Sequence, residues 1–552
     1  MARRRDLLKA LSAGAVNAVL PGFRPAARAA TPRPGQPNIL FIISDQHRPD
    51  LSKLSGYALD TSPTLDSLAE QGVSFDRAYT TSPVCAPARI SMLTGRWPQA
   101  HRVRQNTANL EAFFGVDLFD VVKAAGYKTG LAGKNHTYMK PSKLDFWREY
   151  GHQGGWESAN APREVVEFDA WMRRLNSGVS YVPTPFPAST QSPYRIVSDA
   201  IEFMEKFGDQ PFALEVSFPE PHNPEQVPRP YWDMYPPDSL PDRCAGPEVL
   251  KDLGFRARWL YGMENDTHPI YEKNWRRYKS NYLGMLRLLD DQLKRLIGFM
   301  KQKNLFEKTI IVYLADHGDY LMDYGLGRKG VGLPECLTRT PMVWSGWGIE
   351  GGHAHHPAHV SNADVMPTLC EAIGVDIPHG VQGRSLWPLL QGKDYPEEEF
   401  RSIYAEVGFG GLYYDESYSM PYRLAQSPPK GSSEQGPPTE FWNIDELTPV
   451  TQCGYQKMVR MGDWKLIYDM MGYGQLYNLS TDPGELKNLF GSAAVAAEQA
   501  QMMAELLMWT IRNEDTLPVD EPQKDWQSTR WSKEHNWYAP YRHGKTPGPY
   551  IP

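Results

Sequence analysis

Three short polar clusters, far apart along the chain, carry side-chain types that can handle an oxyanion. The first is Cys85-Ala86-Pro87-Ala88-Arg89. Pro87 has a fixed φ and no N–H to lose, which suits the first turn of a helix. The pentapeptide therefore reads as a helix start with Cys85 at its N-terminus, where free N–H groups and the helix dipole favour negative charge. Arg89 falls four residues on, over the same face. A reactive thiol, a ring of donors and a fixed cation make a candidate anion site. A buried Cys beside an Arg89 salt bridge is the plainer alternative. The second cluster is Asp45-Gln46-His47 and the third is Asp316-His317-Gly318-Asp319. Asp45, Gln46 and Asp316 offer oxygen ligands that suit a hard divalent cation such as Ca²⁺. His317 adds a nitrogen, which tilts the set toward Mn²⁺. Two helix N-caps following strands would use Asp in the same positions.

Such clusters need elements to bring them together. Residues 39–44 and 309–315 are continuous apolar runs, as expected of buried central strands. Each ends at one of the acidic clusters. In open α/β sheets ligands gather at the carboxyl ends of strands, so the two clusters should meet in one crevice. A strand over 129–133 leads into Gly133-Lys134-Asn135-His136. A strand over 212–218 leads into Pro219-Glu220-Pro221-His222-Asn223-Pro224. Helices are expected over 61–71, 118–125, 194–207 and 274–303, the last with Leu283, Leu286, Leu289 and Leu293 on one stripe. Strands at 341–345 and 403–406 complete the alternation. It predicts an α/β fold with a doubly wound, mostly parallel sheet. Past about residue 400 the texture changes. Residues 410–452 read as a long loop, and Tyr413, Tyr414, Tyr418 and Tyr422 with Trp442 form either a sugar-stacking lid or the core or interface packing of that loop. A hairpin over 456–470 turns at Gly462-Asp463, and a helix follows near 493–512. The expected division is a catalytic domain over 30–400, a C-terminal α+β subdomain over 401–515 and an irregular aromatic-rich tail over 516–552.

The composition narrows the function. With 22% charged residues and a formal net charge of −7, nucleic-acid binding is disfavoured, and attraction for an anion must be local. Five cysteines in 552 residues are not a disulfide scaffold. Apart from Cys85, the pairing of Cys244, Cys336, Cys370 and Cys453 stays open. Arg4-Arg5-Asp6-Leu7-Leu8-Lys9, a weakly apolar run over 10–20 and Ala27-Arg28-Ala29 read as a twin-arginine-type signal peptide over 1–29. The run is too short to span a bilayer, so a periplasmic or secreted protein without a membrane anchor is expected. His353, His355, His356 and His359 lack an acid or Cys at zinc spacing and read as a surface loop. His47 and Arg48 either line the pocket mouth or pair with acids.

Taken with its surroundings, Ser82-Pro83-Val84-Cys85-Ala86-Pro87-Ala88-Arg89-Ile90-Ser91-Met92-Leu93-Thr94-Gly95-Arg96 resembles the signature of the type I, formylglycine-dependent sulfatases. Gly133-Lys134-Asn135-His136 resembles that family's Gly-Lys-x-His motif, His222 matches a family His near the leaving group, and Lys329 in Gly327-Arg328-Lys329-Gly330 matches the family's bridging Lys. The resemblance covers residues 37 to 490. It implies an alkaline-phosphatase-like fold: a large mixed, mostly parallel sheet flanked by helices, with a smaller C-terminal α+β subdomain. It implies that a maturase oxidises Cys85 to formylglycine, whose hydrate is the nucleophile. Asp45, Gln46, residue 85, Asp316 and His317 would hold a divalent cation, Ca²⁺ first, with Mn²⁺ or Mg²⁺ as alternatives. Arg89, Lys134, His136, His222 and Lys329 would form the cationic catalytic set. His222 or Lys329 would protonate the leaving group, and His136 would receive the proton that frees sulfate. The expected activity is hydrolysis of a sulfate ester, most plausibly of a sulfated saccharide. One departure stands out. Many members have paired Asp where this chain has Asp45-Gln46, and Gln keeps an oxygen ligand but removes a charge. Phosphonate-hydrolase-like and choline-sulfatase-like relatives tolerate Gln there, so a phosphonate monoester or phosphodiester hydrolase is the alternative. A non-catalytic secreted binding protein with unmatured Cys85 is the third reading.

Overall fold

A computed structural model describes residues 35–155, 161–175, 178–267, 270–330, 332–410 and 454–514. The signal region, the aromatic stretch at 411–453 with Cys453, and the C-terminal tail lie outside them. Among the described residues, the larger sheet has nine strands in the order β5-β4-β3-β6-β1-β7-β8-β2-β9. These are β1 Asn38–Asp45, β2 Val73–Tyr79, β3 Lys128–Gly133, β4 Phe146–Gly151, β5 Gly154–Gly155, β6 Phe212–Pro221, β7 Thr309–Ala315, β8 Met342–Gly346 and β9 His353–Ser361. The four strands β3, β6, β1 and β7 are adjacent and parallel. Their carboxyl ends therefore open on one edge. β8 runs antiparallel to β7 and to β2.

Strand β1 shows why this sheet is buried on both faces. Ile39, Phe41 and Ile43 enter one core cluster, while Leu40 and Ile42 enter another on the opposite face. Strand β7 repeats the pattern with Ile310, Val312 and Leu314 against Ile311 and Tyr313. Alternate side chains point to opposite faces, so a strand with helices on both sides must be apolar throughout. Helices α1 Pro63–Gln71, α5 Ser192–Phe207 and α6 Trp275–Gln302 pack on the second face, and α3 Leu118–Ala124 and α7 Val365–Ala372 on the first. Burying one such Leu or Ile contributes about 1.5–3 kcal/mol. Helix α2, Cys85–Thr94, is buried along its whole length. A left-handed Gly95 ends it.

A second, four-stranded antiparallel sheet has the order β10-β11-β12-β13, with β10 Ser402–Val407, β11 Gln456–Met461, β12 Trp464–Asp469 and β13 Gly474–Asn478. The expected strand at 403–406 thus begins the second sheet rather than continuing the first. Helix α8, Ala496–Glu514, covers it, and Tyr79, Val84 and Trp97 from around α2 share its core. Among the elements that lacked a sequence expectation are β2, β4 and helix α4, Arg163–Leu175. The expected histidine loop is instead β9, whose residues alternate in exposure from His353 to Pro357 along the sheet edge.

Candidate active site

Four strand ends deliver the site. Asp45 is the last residue of β1, and Asp316 directly follows β7, with Ser44 paired to Ala315. Lys134 follows β3 and His222 follows β6. The chain must turn sharply after each strand. At Gly133, φ is +124°, and a Cβ there would lie 1.8 Å from the Ser217 carbonyl oxygen, so only glycine fits between β3 and β6. Gln46 itself adopts φ 68°, held by its own backbone N–H to Asp316 Oδ1 at 3.0 Å and by Tyr282 Oη donating to its carbonyl at 2.5 Å. Strained backbone of this kind persists where surrounding contacts over-determine it.

The ligand cluster is compact. Ligand atoms of Asp45, Cys85, Asp316 and His317 all lie within 4.8 Å of one another, and all four residues are buried. Cys85 Sγ is 3.2 Å from His317 Nε2 and 3.7 Å from Asp45 Oδ1. His317 Nδ1 donates to the Gly318 carbonyl at 2.8 Å, and its Nε2 faces the cluster. Gln46 Nε2 donates to Asp319 Oδ2, so its Oε1 turns toward Lys329 Nζ at 3.3 Å. Two carboxylates and one imidazole nitrogen beside residue 85 form a donor set that fits a divalent cation.

Arg89 makes all its contacts beneath this cluster. Its guanidinium donates to Asp316 at 2.7 Å, Ser217 Oγ at 2.7 Å, the Lys134 carbonyl at 3.1 Å and Asp45 at 3.4 Å. It braces both acidic ligands from behind. The expected ring of free N–H groups at the start of α2 is thinner than its sequence suggested. The Ala86 N–H is taken by Asn106 Oδ1 at 3.0 Å, and Pro87 has none.

The cationic side is a chain of four groups. Lys134 Nζ bonds Asp45 Oδ2 and lies 2.9 Å from His152 Nε2. The His152 ring stacks on that of His222, with centroids 3.8 Å apart and planes 22° from parallel. His222 Nε2 is 3.0 Å from Lys329 Nζ, while its Nδ1 donates to the Asn223 carbonyl at 2.8 Å. Burial, then His152 and Lys329, holds the His222 imidazole well below the usual histidine range. Burial, then Lys134, does the same to His152. Both rings are therefore neutral, and each accepts from a lysine. Burial and Asp45 push the Cys85 thiol up, but Lys134, Lys329 and His317 outweigh them and it lies well below its ordinary value. His136, at φ 46°, is an electrostatic neighbour of His152, and among the described residues its buried Nδ1 has no hydrogen-bond partner.

The structure thus gathers Asp45, Gln46, Cys85, Arg89, Lys134, His222, Asp316, His317 and Lys329 in one place. His47 and Arg48 turn inward: His47 bonds Tyr313 Oη at 2.9 Å, and Arg48 pairs with Asp50 and Asp323, each at 2.6 Å. Sequence reasoning missed His152 and Tyr282, and it named Asp319 within the third cluster without giving it a role. His152 directly follows β4 as Lys134 follows β3, but β4 has no continuous apolar run that would have marked it as a strand.

Comparison with known proteins agrees with this geometry. The family described as Sulfatase matches residues 37–375. A choline-sulfatase of Rhizobium meliloti is 26% identical over 531 residues, spanning 92% of this chain and 94% of the relative. An ulvan-active sulfatase of Formosa agariphila is 29% identical over 435 residues, spanning 74% and 76%. Among solved structures, the phosphonate monoester hydrolase of Agrobacterium radiobacter superposes with a TM-score of 0.67 at 22% identity, over 87% of this chain and 96% of that one. The chain belongs to the sulfatase family and is a sulfuric ester hydrolase.

Proposed function

We propose that this enzyme removes sulfate from a sulfated saccharide, with Cys85 matured to formylglycine and a divalent cation, Ca²⁺ first, held by Asp45, Gln46, Asp316 and His317. One observation carries the reading: the Cys85 thiol lies against the buried acidic ligands on one side and within the field of Lys134 and Lys329 on the other. A cation bound there would act as a Lewis acid on the sulfuryl oxygens, and the hydrated aldehyde at position 85 would supply the attacking hydroxyl. The chain's own residues do the rest. Lys134 and Lys329 bring two ammonium groups into a dry site, where they meet charge developing on the sulfuryl oxygens. Arg89 fixes Asp45 and Asp316 so that neither carboxylate can swing away. The leaving alkoxide needs a proton. His222 rests neutral with Nε2 toward Lys329, so the Lys329–His222 pair supplies it and the lysine stores it. His136, with its unpartnered Nδ1, accepts the proton lost when sulfate departs.

Export fits this substrate class. The twin-arginine-type segment would send the enzyme to the periplasm or beyond, and among the described residues no helix is long and apolar enough to cross a membrane. A second reading, hydrolysis of phosphonate monoesters or phosphodiesters, draws on Gln46 in place of a second Asp and on the likeness to a phosphonate monoester hydrolase. Those esters carry one negative charge, as sulfate esters do, so the cationic site would accept both. The test is a side-by-side assay of sulfated saccharides, aryl sulfates and aryl phosphonates with enzyme co-produced with a maturase. Faster turnover of a saccharide sulfate than of any phosphonate supports the first reading, and the reverse order supports the second.

A further inference from the structure

A cavity of about 560 Å³ lies between β2 and β9 of the large sheet and the C-terminal sheet. Arg48, Arg77, Arg339 and Arg460 line it, whereas Cys85, Lys134, His222 and Lys329 do not. It is separate from the catalytic centre. Its acidic residues are largely spoken for. Asp50 and Asp323 each pair with Arg48 at 2.6 Å, Asp76 meets His355 at 2.9 Å, and Glu335 meets Lys465 at 3.0 Å and Tyr79 Oη at 2.9 Å. Three guanidinium groups are left with thin pairing. Arg77 reaches Asp463 at 3.3 Å, Arg460 reaches the same half-exposed carboxylate only at 4.0 Å, and Arg339 reaches Glu335 at 4.0 Å.

Arg460 makes the argument. Its side chain is 8% exposed, and among the described residues its Nε and Nη1 have no hydrogen-bond partner. A buried guanidinium with two of its nitrogens left without acceptors is destabilising, and native structures seldom retain one without a use. The guanidinium fork matches the oxygens of a sulfate or carboxylate in bidentate fashion. Arg77 and Arg339, 29% and 31% exposed, stand at the opening. We propose that this cavity is a second oxyanion site, with Arg460 at its base and Arg77 and Arg339 at its rim. It takes a sulfate or carboxylate group. Its volume is that of a small-ligand pocket, far larger than one ion, so an oxyanion carried on a sugar ring fits it better than a bare anion.

The test titrates inorganic sulfate into the full-length protein by calorimetry at fixed ionic strength, comparing wild type, Arg460→Met and the catalytic-site variant Lys134→Met. Sulfate binding that survives Lys134→Met and weakens on the order of ten- to a hundred-fold in Arg460→Met supports the site. Unchanged sulfate binding in Arg460→Met overturns it. Arg339→Gln, at the rim, is the second variant should Arg460→Met fail to fold, and a several-fold loss or no loss decides in the same way. A second arm separates the sources of the anion. If the site holds a charged group of the substrate, KM for a multiply sulfated saccharide rises in Arg460→Met while KM for a small aryl sulfate stays the same. If it holds free sulfate, both KM values stay the same and only the calorimetric affinity falls. The calorimetric arm does not depend on the formylglycine reading, because sulfate binding is read without turnover; the KM arm uses active enzyme and rests on that reading.

Discussion

At the scale of single residues, the stacked imidazoles join the two lysines. Lys134 and His152 form one half of the chain, Lys329 and His222 the other, and the rings meet face to face. His152→Phe keeps a flat ring against His222 but removes the acceptor of the Lys134 proton. Lys134 then loses its orientation, and kcat is expected to fall about 100-fold with KM little changed. Steady-state kinetics on an aryl sulfate checks this, and an unchanged kcat removes His152 from the positioning role. His222→Ala should slow saccharide sulfates by a further ~100-fold or more than activated aryl sulfates, since phenolates leave without a proton. Equal losses on both substrates would place the acid elsewhere. Most of these residues were legible because each follows a recognisable apolar strand. His152 was not, because β4 carries Trp147, Arg148 and Glu149 and shows no buried run. Arg89 was legible as a cation, but its four partners come from β1, β3, β6 and the end of β7, which no local pattern reveals.

At the scale of elements, parallel strand ends do the positioning. The turn at Gly133 sets where Lys134 begins, and it has no room for a side chain beside Ser217. Gly133→Ala should push β3 away from β6, cost about 1–3 kcal/mol of stability and lower kcat together with Tm. A fully active, equally stable variant would show that the contact relaxes freely. Strands β1 and β7 were readable because burial on both faces demands unbroken apolar sequence. Strands β2 and β9 were not. β2 mixes Ser74, Asp76 and Arg77 into its pattern, and β9 holds four histidines and Pro357 at a sheet edge, where a proline is tolerated.

At the scale of the molecule, buried titratable groups set the pH range. Burial raises the Glu215, Glu220 and Glu225 carboxyls to about 8. Their contribution is complete below the ordinary glutamate range and is lost as pH rises through 8. Burial lowers His47, His101 and His359 to about 3. Their contribution is present above the ordinary histidine value and is lost as pH falls from there. Between pH 6.5 and 8 the glutamates dominate, each with a slope of up to about 1.4 kcal/mol per pH unit. Tm should therefore fall across that interval, and Glu225→Gln should reduce the fall. A Tm that rises from pH 6.5 to 8 would contradict this assignment.

The claim on which all three scales rest is that Cys85 works as an aldehyde inside the cation-lined site. The most direct measurement takes protein made with and without a maturase, quantifies the aldehyde on the Cys85 peptide by hydrazide labelling and mass spectrometry, and assays both preparations on one sulfate ester. The expected result is activity proportional to the aldehyde fraction, with the thiol form folded, metal-loaded and nearly inactive. A thiol-bearing preparation as active as the modified one would contradict the claim.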